Sequence, residues 1–280
     1  MRKISGHYTD KFEIQHTFAA EIPGNWGELT AQQYATILQL LTYEQADKYT
    51  IGASFLSILF GPKNWHILNN LPDEELHDLM PLTNFIIESA PPAINRIPKL
   101  KMRGKVRYAP ADDLSNIGFG EWCFAYQFYT YFVQTGDVQF LNKLIATLYR
   151  PADADQKPGT PGFKGDIRQP FNENLIDAQA RALNDVEMRI RLAILGWLRA
   201  AFSNIMEQRK NAFPEPEKDS EGNIKAQNES DARTWLTVFR ELLGSKWGTT
   251  EQLKFTNAMF ILDHLEEQQI AFKQSSAPVE

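Results

Sequence analysis

The plainest chemical pattern in the chain runs from Lys99 to Tyr108: Lys-Leu-Lys-Met-Arg-Gly-Lys-Val-Arg-Tyr. Lys99, Lys101, Arg103, Lys105 and Arg107 share one parity, and Leu100, Met102, Val106 and Tyr108 share the other. At the two-residue period of a strand, all five cations fall on one face of a strand or ribbon. Gly104 marks a bulge or turn in its middle. Two accounts fit. Exposed strands carry lysine because its charge deters edge-to-edge pairing. Alternatively, the stretch is a basic arm that docks an acidic partner surface or a nucleic acid.

No other stretch carries a catalytic or metal signature. The histidines are scattered, and none belongs to an H-E-x-x-H motif. His16 falls on the apolar side of an alternating stretch with no second ligand nearby, so a satisfied core or edge histidine is the plainer reading. Asp153 and Asp155 suggest a calcium loop, but Lys157, Pro158 and Lys164 stand where a ligand, the turn glycine and the closing glutamate belong. Gly118-Phe119-Gly120 has Cys123 in place of the third glycine of a dinucleotide fingerprint. Gly52-Ala53-Ser54-Phe55-Leu56 lacks the last glycine of a nucleophile elbow. His264 beside Asp263, Glu266 and Glu267 reads as an exposed polar helix face. Cys123 is the single cysteine, so neither an internal disulfide nor an all-cysteine zinc site can form. The expectation is no catalytic residue, no metal and no cofactor, unless the fold alone assembles a site.

These residues sit in a chain of 280 residues, 43% hydrophobic and 12% aromatic, enough for one large domain or two small ones. The formal net charge of -6 disfavours broad binding to DNA or RNA and leaves room for a local basic patch. Met1-Arg2-Lys3 is not followed by the apolar run of a secretory signal, and the stretch from Ile51 to Phe60 is too short for a bilayer. The expectation is a soluble, intracellular protein that does not engage membrane.

The elements that must position the cations are mainly helical. The organising stretch is Phe119 to Tyr149. Trp122, Tyr126, Tyr129 and Val133 recur at helical spacing, with Phe124, Phe128, Tyr131 and Phe132 on an adjoining face, which predicts a helix enclosed nearly all round. Thr135-Gly136-Asp137 ends it and caps a second helix built on Val138, Leu141, Leu144, Ile145 and Leu148. Upstream, residues 12–22 alternate as a strand. Thr30 and Gln33 form a capping box, with Leu29 and Tyr34 as a hydrophobic staple, for a helix reaching Leu41. A further helix from Glu44 to Leu59 stops at Gly61-Pro62, and Asp73 caps another that Pro81 breaks. Arg150 to Pro170 is a long loop rich in proline and glycine, read as a contact loop that orders on a partner. Leu175 to Arg209 is a long helix, broken once, with its arginines on a solvated face. The expected fold class is mainly α: a multi-helix domain around a central aromatic helical hairpin, with a small antiparallel β ribbon from about 12–22 and 99–109. Residues 1–210 form the core domain, 211–230 a flexible charged linker, 231–272 a C-terminal helical pair, and 273–280 a disordered tail.

Three segments carry a resemblance. The first is Ile22-Pro-Gly-Asn-Trp-Gly-Glu-Leu-Thr-Ala-Gln-Gln-Tyr34 with its leucine-rich helix. The second runs from Asn116-Ile-Gly-Phe-Gly-Glu121 to Leu144-Ile-Ala-Thr-Leu-Tyr-Arg-Pro151, followed after the loop by Asp166-Ile-Arg-Gln-Pro-Phe171. The third is the pair Trp235 to Leu265. Together they resemble tailed-phage virion-morphogenesis proteins, among them tail-module, tail assembly chaperone-like ones. The resemblance spans most of the chain and includes no catalytic signature. It implies a non-enzymatic role, structural or chaperone-like, in virion or tail assembly. The implied partners are other phage structural or assembly proteins and further copies of the chain, in the cytoplasm of the infected host or in the virion. Lys99, Lys101, Arg103, Lys105 and Arg107 are the candidate partner-binding residues, joined by Asp166 and Arg168. The alternatives are a phage effector that binds a host protein and an enzyme whose site is assembled only by the fold.

Overall fold

The computed structural model describes residues 1–9, 12–42, 48–213, 234–244 and 247–275, with backbone only at 48 and 49. The expected linker at 211–230 lies outside the described residues from 214 onward, and the expected tail from 276 onward. The chain is mainly helical with two small antiparallel two-stranded sheets. Its contacts form two compact units, residues 1–97 with 188–200, and residues 98–187 with 201–280. This differs from the division expected at 210 and 231, because the last helices pack on the aromatic hairpin.

In the first unit, β1 (Arg2–Thr9) and β2 (Gln15–Ile22) pair antiparallel from Arg2↔Ile22 to Thr9↔Gln15. The predicted alternation holds from His16 to Ile22, with Ala20 and Ile22 buried, but the strand starts at Gln15, and Phe12 and Ile14, expected on its apolar face, precede it and are exposed. Strand β1 escapes a pattern reading because its inward positions are Ile4, Gly6 and Tyr8, only two of them apolar side chains. Helix α1 (Ala31–Leu40) starts on the predicted capping box: Gln33 N donates to Thr30 Oγ1 at 3.2 Å, and Thr30 N donates to Gln33 Oε1 at 3.0 Å. Helix α2 (Lys48–Leu68) does break at Gly61, where φ is 68° and ψ 173°, but it resumes from Pro62. A positive φ there suits glycine, and proline suits the first turn of the resumed segment. Helix α3 (Asp73–Leu79) is not capped by Asp73, which is its first helical residue; Pro72 holds the cap position, with no side-chain bond. A turn at Met80–Thr83 containing Pro81 separates it from α4 (Asn84–Glu88). Trp26 anchors this core, edge-on to Tyr34 and Phe85, with its Nε1 donating to Ser89 at 3.1 Å.

In the second unit, β3 (Lys99–Met102) and β4 (Lys105–Tyr108) form their own hairpin, so 12–22 and 99–109 do not pair with each other. Helix α5 (Phe119–Thr135) ends at Gly136, whose φ of 67° closes the helix, and Asp137 Oδ1 caps α6 (Val138–Leu148) by accepting from Gln139 N at 2.8 Å. The long helix expected from 175 is broken once, into α7 (Ile176–Ala182) and α8 (Met188–Glu207); α8 contributes to both units. Its Arg191 is buried, not solvated. Helices α9 (Trp235–Leu242), α10 (Thr250–Phe255) and α11 (Ala258–Ser275) all contact α5. Trp122 is the centre of the packing. It stacks on Tyr126 at 5.5 Å and meets Phe202 and Trp235 edge-on at 5.4 and 6.0 Å. Only the first half of α5 is enclosed, however: Tyr131 and Val133 are exposed. Among the described residues, no helix is long and apolar enough to cross a membrane.

Candidate contact site

Glu121 is a carboxylate in a helix turn otherwise made of Phe119, Gly120, Trp122 and Cys123, and it is buried with them. A buried charge is tolerated only when paired and hydrogen-bonded. The fold supplies two guanidiniums. Arg168 Nη1 donates to Glu121 Oε1 at 2.8 Å, and Arg150 Nη2 donates to Glu121 Oε2 at 2.8 Å. Asp166 completes the group: Arg168 Nε and Nη2 donate to its two oxygens at 2.9 and 2.8 Å, the forked geometry that guanidinium and carboxylate share. Arg168 Nη1 also donates to the carbonyl of Leu148 at 2.7 Å.

The charges sum to zero, two positive and two negative. Burial opposes the charge on Arg168, but Glu121 and Asp166 outweigh it and hold the guanidinium above its ordinary pKa. Burial dominates at Arg150 and lowers its pKa, with Arg168 acting in the same sense against the pull of Glu121. Both remain cations, since guanidinium does not deprotonate in proteins.

The clasp holds three extended segments. Tyr108 N donates to Arg150 O at 2.8 Å, and Arg150 N donates back to Tyr108 O at 3.1 Å, so the end of β4 is paired to the start of the loop. Further on, Ala152 bridges Arg168, with Asp153 N to Ile167 O and Gln169 N to Pro151 O both at 2.8 Å. The 151–170 segment is therefore a loop with zipped ends, an Ω-type arrangement. Gly159, Gly162 and Gly165 have positive φ along its exposed span. A cavity of about 520 Å³ lies beside the clasp, lined by Glu121, Arg150, Asp166 and Arg168 with Lys164 and Phe171. An apolar groove in the first unit, about 700 Å³ with Trp65 and Ile58, is lined by no titratable side chain.

The structure separates the five expected cations. Arg103 and Gly104, with φ of 46° and 75°, make a two-residue turn that pairs Met102 with Lys105. Directly opposed residues share a face, so the turn inverts the parity of β4 relative to β3. Lys99 and Lys101 lie with Tyr108 and Val106 on the outward face, while Lys105 and Arg107 lie on the face of Leu100 and Met102. Lys99 Nζ sits over the Tyr108 ring at 5.6 Å. Arg103 is at the tip and pairs with Asp185 at 3.3 Å. Arg107 is half-buried, and burial lowers its pKa. Arg168 does not face a partner at all: its side chain is 0% exposed. Asp166 keeps 22% exposure at the edge of the cavity. Sequence reasoning missed Glu121 and Arg150; the available signal was a single carboxylate inside an aromatic helix turn. Among the described residues, no group of three or more histidine, cysteine, aspartate or glutamate side chains could hold a metal ion. No family model, no curated protein and no solved structure matches this chain.

Proposed function

We propose that this is a non-enzymatic phage protein that works through protein contacts in virion or tail assembly, as a structural part or a chaperone-like factor. The observation that carries the reading is that the buried ionic group of Glu121, Arg150, Asp166 and Arg168 ties extended segments together. Each Glu121 oxygen accepts from a guanidinium at 2.8 Å, so the buried carboxylate is paired within the fold. What the group positions is exposed: Lys99, Lys101 and Val106 on the outward face of the hairpin, and the 154–162 span of the loop apart from Gln156. Positive charge interleaved with apolar surface suits an acidic protein surface. The net charge of -6 favours a protein partner over nucleic acid.

The test is where the chain resides during infection. Purified virions and free assembly intermediates from infected cells are probed with antibody. Residence in either supports the reading, and virion residence marks a structural part. A monomer absent from both, with no phage head or tail component crosslinked to it, overturns it. A second reading, a small-molecule site, is favoured by the cavity of about 520 Å³. A metabolite panel that raises the melting temperature of the wild type but not of Phe171→Trp would favour that reading.

A further inference from the structure

The hairpin and the loop lie far apart in sequence, yet one carboxylate serves both. Arg150 carries the backbone pairing to Tyr108, and its side chain ends on Glu121. Arg168 carries the backbone bridge to Ala152, and its side chain ends on the other oxygen of Glu121. Among the described residues, few other hydrogen bonds or ion pairs tie either segment to the rest of the unit. A two-stranded hairpin is marginal by itself in water. The Arg103–Asp185 pair at its tip is 64% and 66% exposed and adds little. Leu100 and Met102 are the hairpin's buried residues. Among the described residues, the 154–165 span offers turns, the bond from Lys164 N to Gln156 Oε1 at 3.0 Å and a long one from Asn116 Nδ2 to Gly165 O at 3.4 Å.

We propose that Glu121 makes the basic hairpin and the 151–170 loop one cooperative unit, so that a partner seated on either orders both. This rests on the contact reading above for its use, but not for its test. If Glu121 loses its charge, two buried guanidiniums share one carboxylate, Asp166, and both segments lose the same anchor. Local opening then takes them together. The same coupling gives a partner a larger ordered surface than the segment it first touches.

The experiment is amide exchange on the free full-length chain, wild type against Glu121→Gln and the milder Asp166→Asn. The amides of Tyr108, Asp153 and Gln169, which donate across the two junctions, should exchange at least about tenfold faster in Glu121→Gln, all together, while β1 and β2 amides keep their rates. Asp166→Asn should accelerate the same set by less. Faster exchange at 153 and 169 with Tyr108 unchanged overturns the proposal, as does no change at any of them. Should Glu121→Gln fail to fold, exchange of the wild type in rising denaturant decides: one shared opening slope for the three amides supports coupling, and separate slopes overturn it. Absence of a phage partner would sink the contact reading and leave this result untouched.

Discussion

Gln33 Nε2 donates to the carbonyl of Ile58 at 2.9 Å. The break at Gly61-Pro62 leaves the last carbonyls of the preceding helical segment without helical donors, and this side chain supplies one. Its Oε1 meanwhile accepts from Thr30 N at 3.0 Å. A single amide thus starts α1 and closes the first segment of α2. Gln33→Ala should therefore cost about 1–2 kcal/mol, from a lost cap and an unsatisfied carbonyl. Gln32→Ala, on the exposed side of the same turn, should stay within about 0.5 kcal/mol of wild type. Urea unfolding of the two variants checks this; equal effects would contradict it.

Glu121 and Arg103 both belong to ion pairs, but burial ranks them differently. Removing Glu121 leaves Arg150 and Arg168 buried with one carboxylate between them, so Glu121→Leu should lose about 3–5 kcal/mol. Arg103→Ala breaks a pair exposed on both sides and should lose at most about 1 kcal/mol. Equilibrium denaturation followed by tryptophan fluorescence separates the two, and a Glu121 effect as small as that of Arg103 would contradict the account of the clasp.

Local features were legible in the sequence, and those that depend on distant partners were not. The Thr30–Gln33 box and the Gly136-Asp137 stop and cap involve neighbours within a few residues, and they appear where the spacing places them. The single face of five cations failed because parity holds only along an unbroken strand. A two-residue turn at Arg103-Gly104 reverses it, and turn length is not encoded by alternation. Glu121 finds its partners 29 and 47 residues away, beyond any periodicity. Arg168, a candidate partner-binding residue in the sequence, is buried for the same reason: nothing near it in sequence announces the Glu121 carboxylate.

Gly118 fixes the approach of α10 to α5. A Cβ there would lie 2.7 Å from the carbonyl oxygen of Lys254, a backbone atom with little freedom to retreat. Its φ of -78° is ordinary, so the constraint is space alone. Gly118→Ala should cost about 1–3 kcal/mol through that overlap. It should also weaken the flanking bonds, Phe119 N to Thr256 O at 2.8 Å and Ala258 N to Ile117 O at 2.9 Å. Thermal unfolding and exchange at these two amides test it; an unperturbed variant would contradict the packing described.

Acid should destabilise the fold partly through Glu266. Burial pushes its pKa up, but bonds from Asn211 Nδ2 and Ala212 N, with Lys273 nearby, outweigh this and hold it below its ordinary value. A carboxylate whose folded pKa is depressed contributes stability above its unfolded pKa, about 4.3, and loses it as pH falls through the folded value. Glu266→Gln should therefore lower stability at pH 7 and flatten the decline below about pH 4. Melting temperatures from pH 7 to pH 3 check the sign; a variant with a steeper acid decline than wild type would contradict it.

The account stands on the hairpin as a contact surface held by the clasp. Tagged wild type and a Lys99→Glu, Lys101→Glu, Arg103→Glu variant, matched in melting temperature, are expressed in phage-infected cells and recovered with a crosslinker. The predicted result is a phage head or tail component joined to the wild type through the 99–108 segment and lost from the variant. The same component recovered equally with both proteins, or no phage component with either, would contradict it.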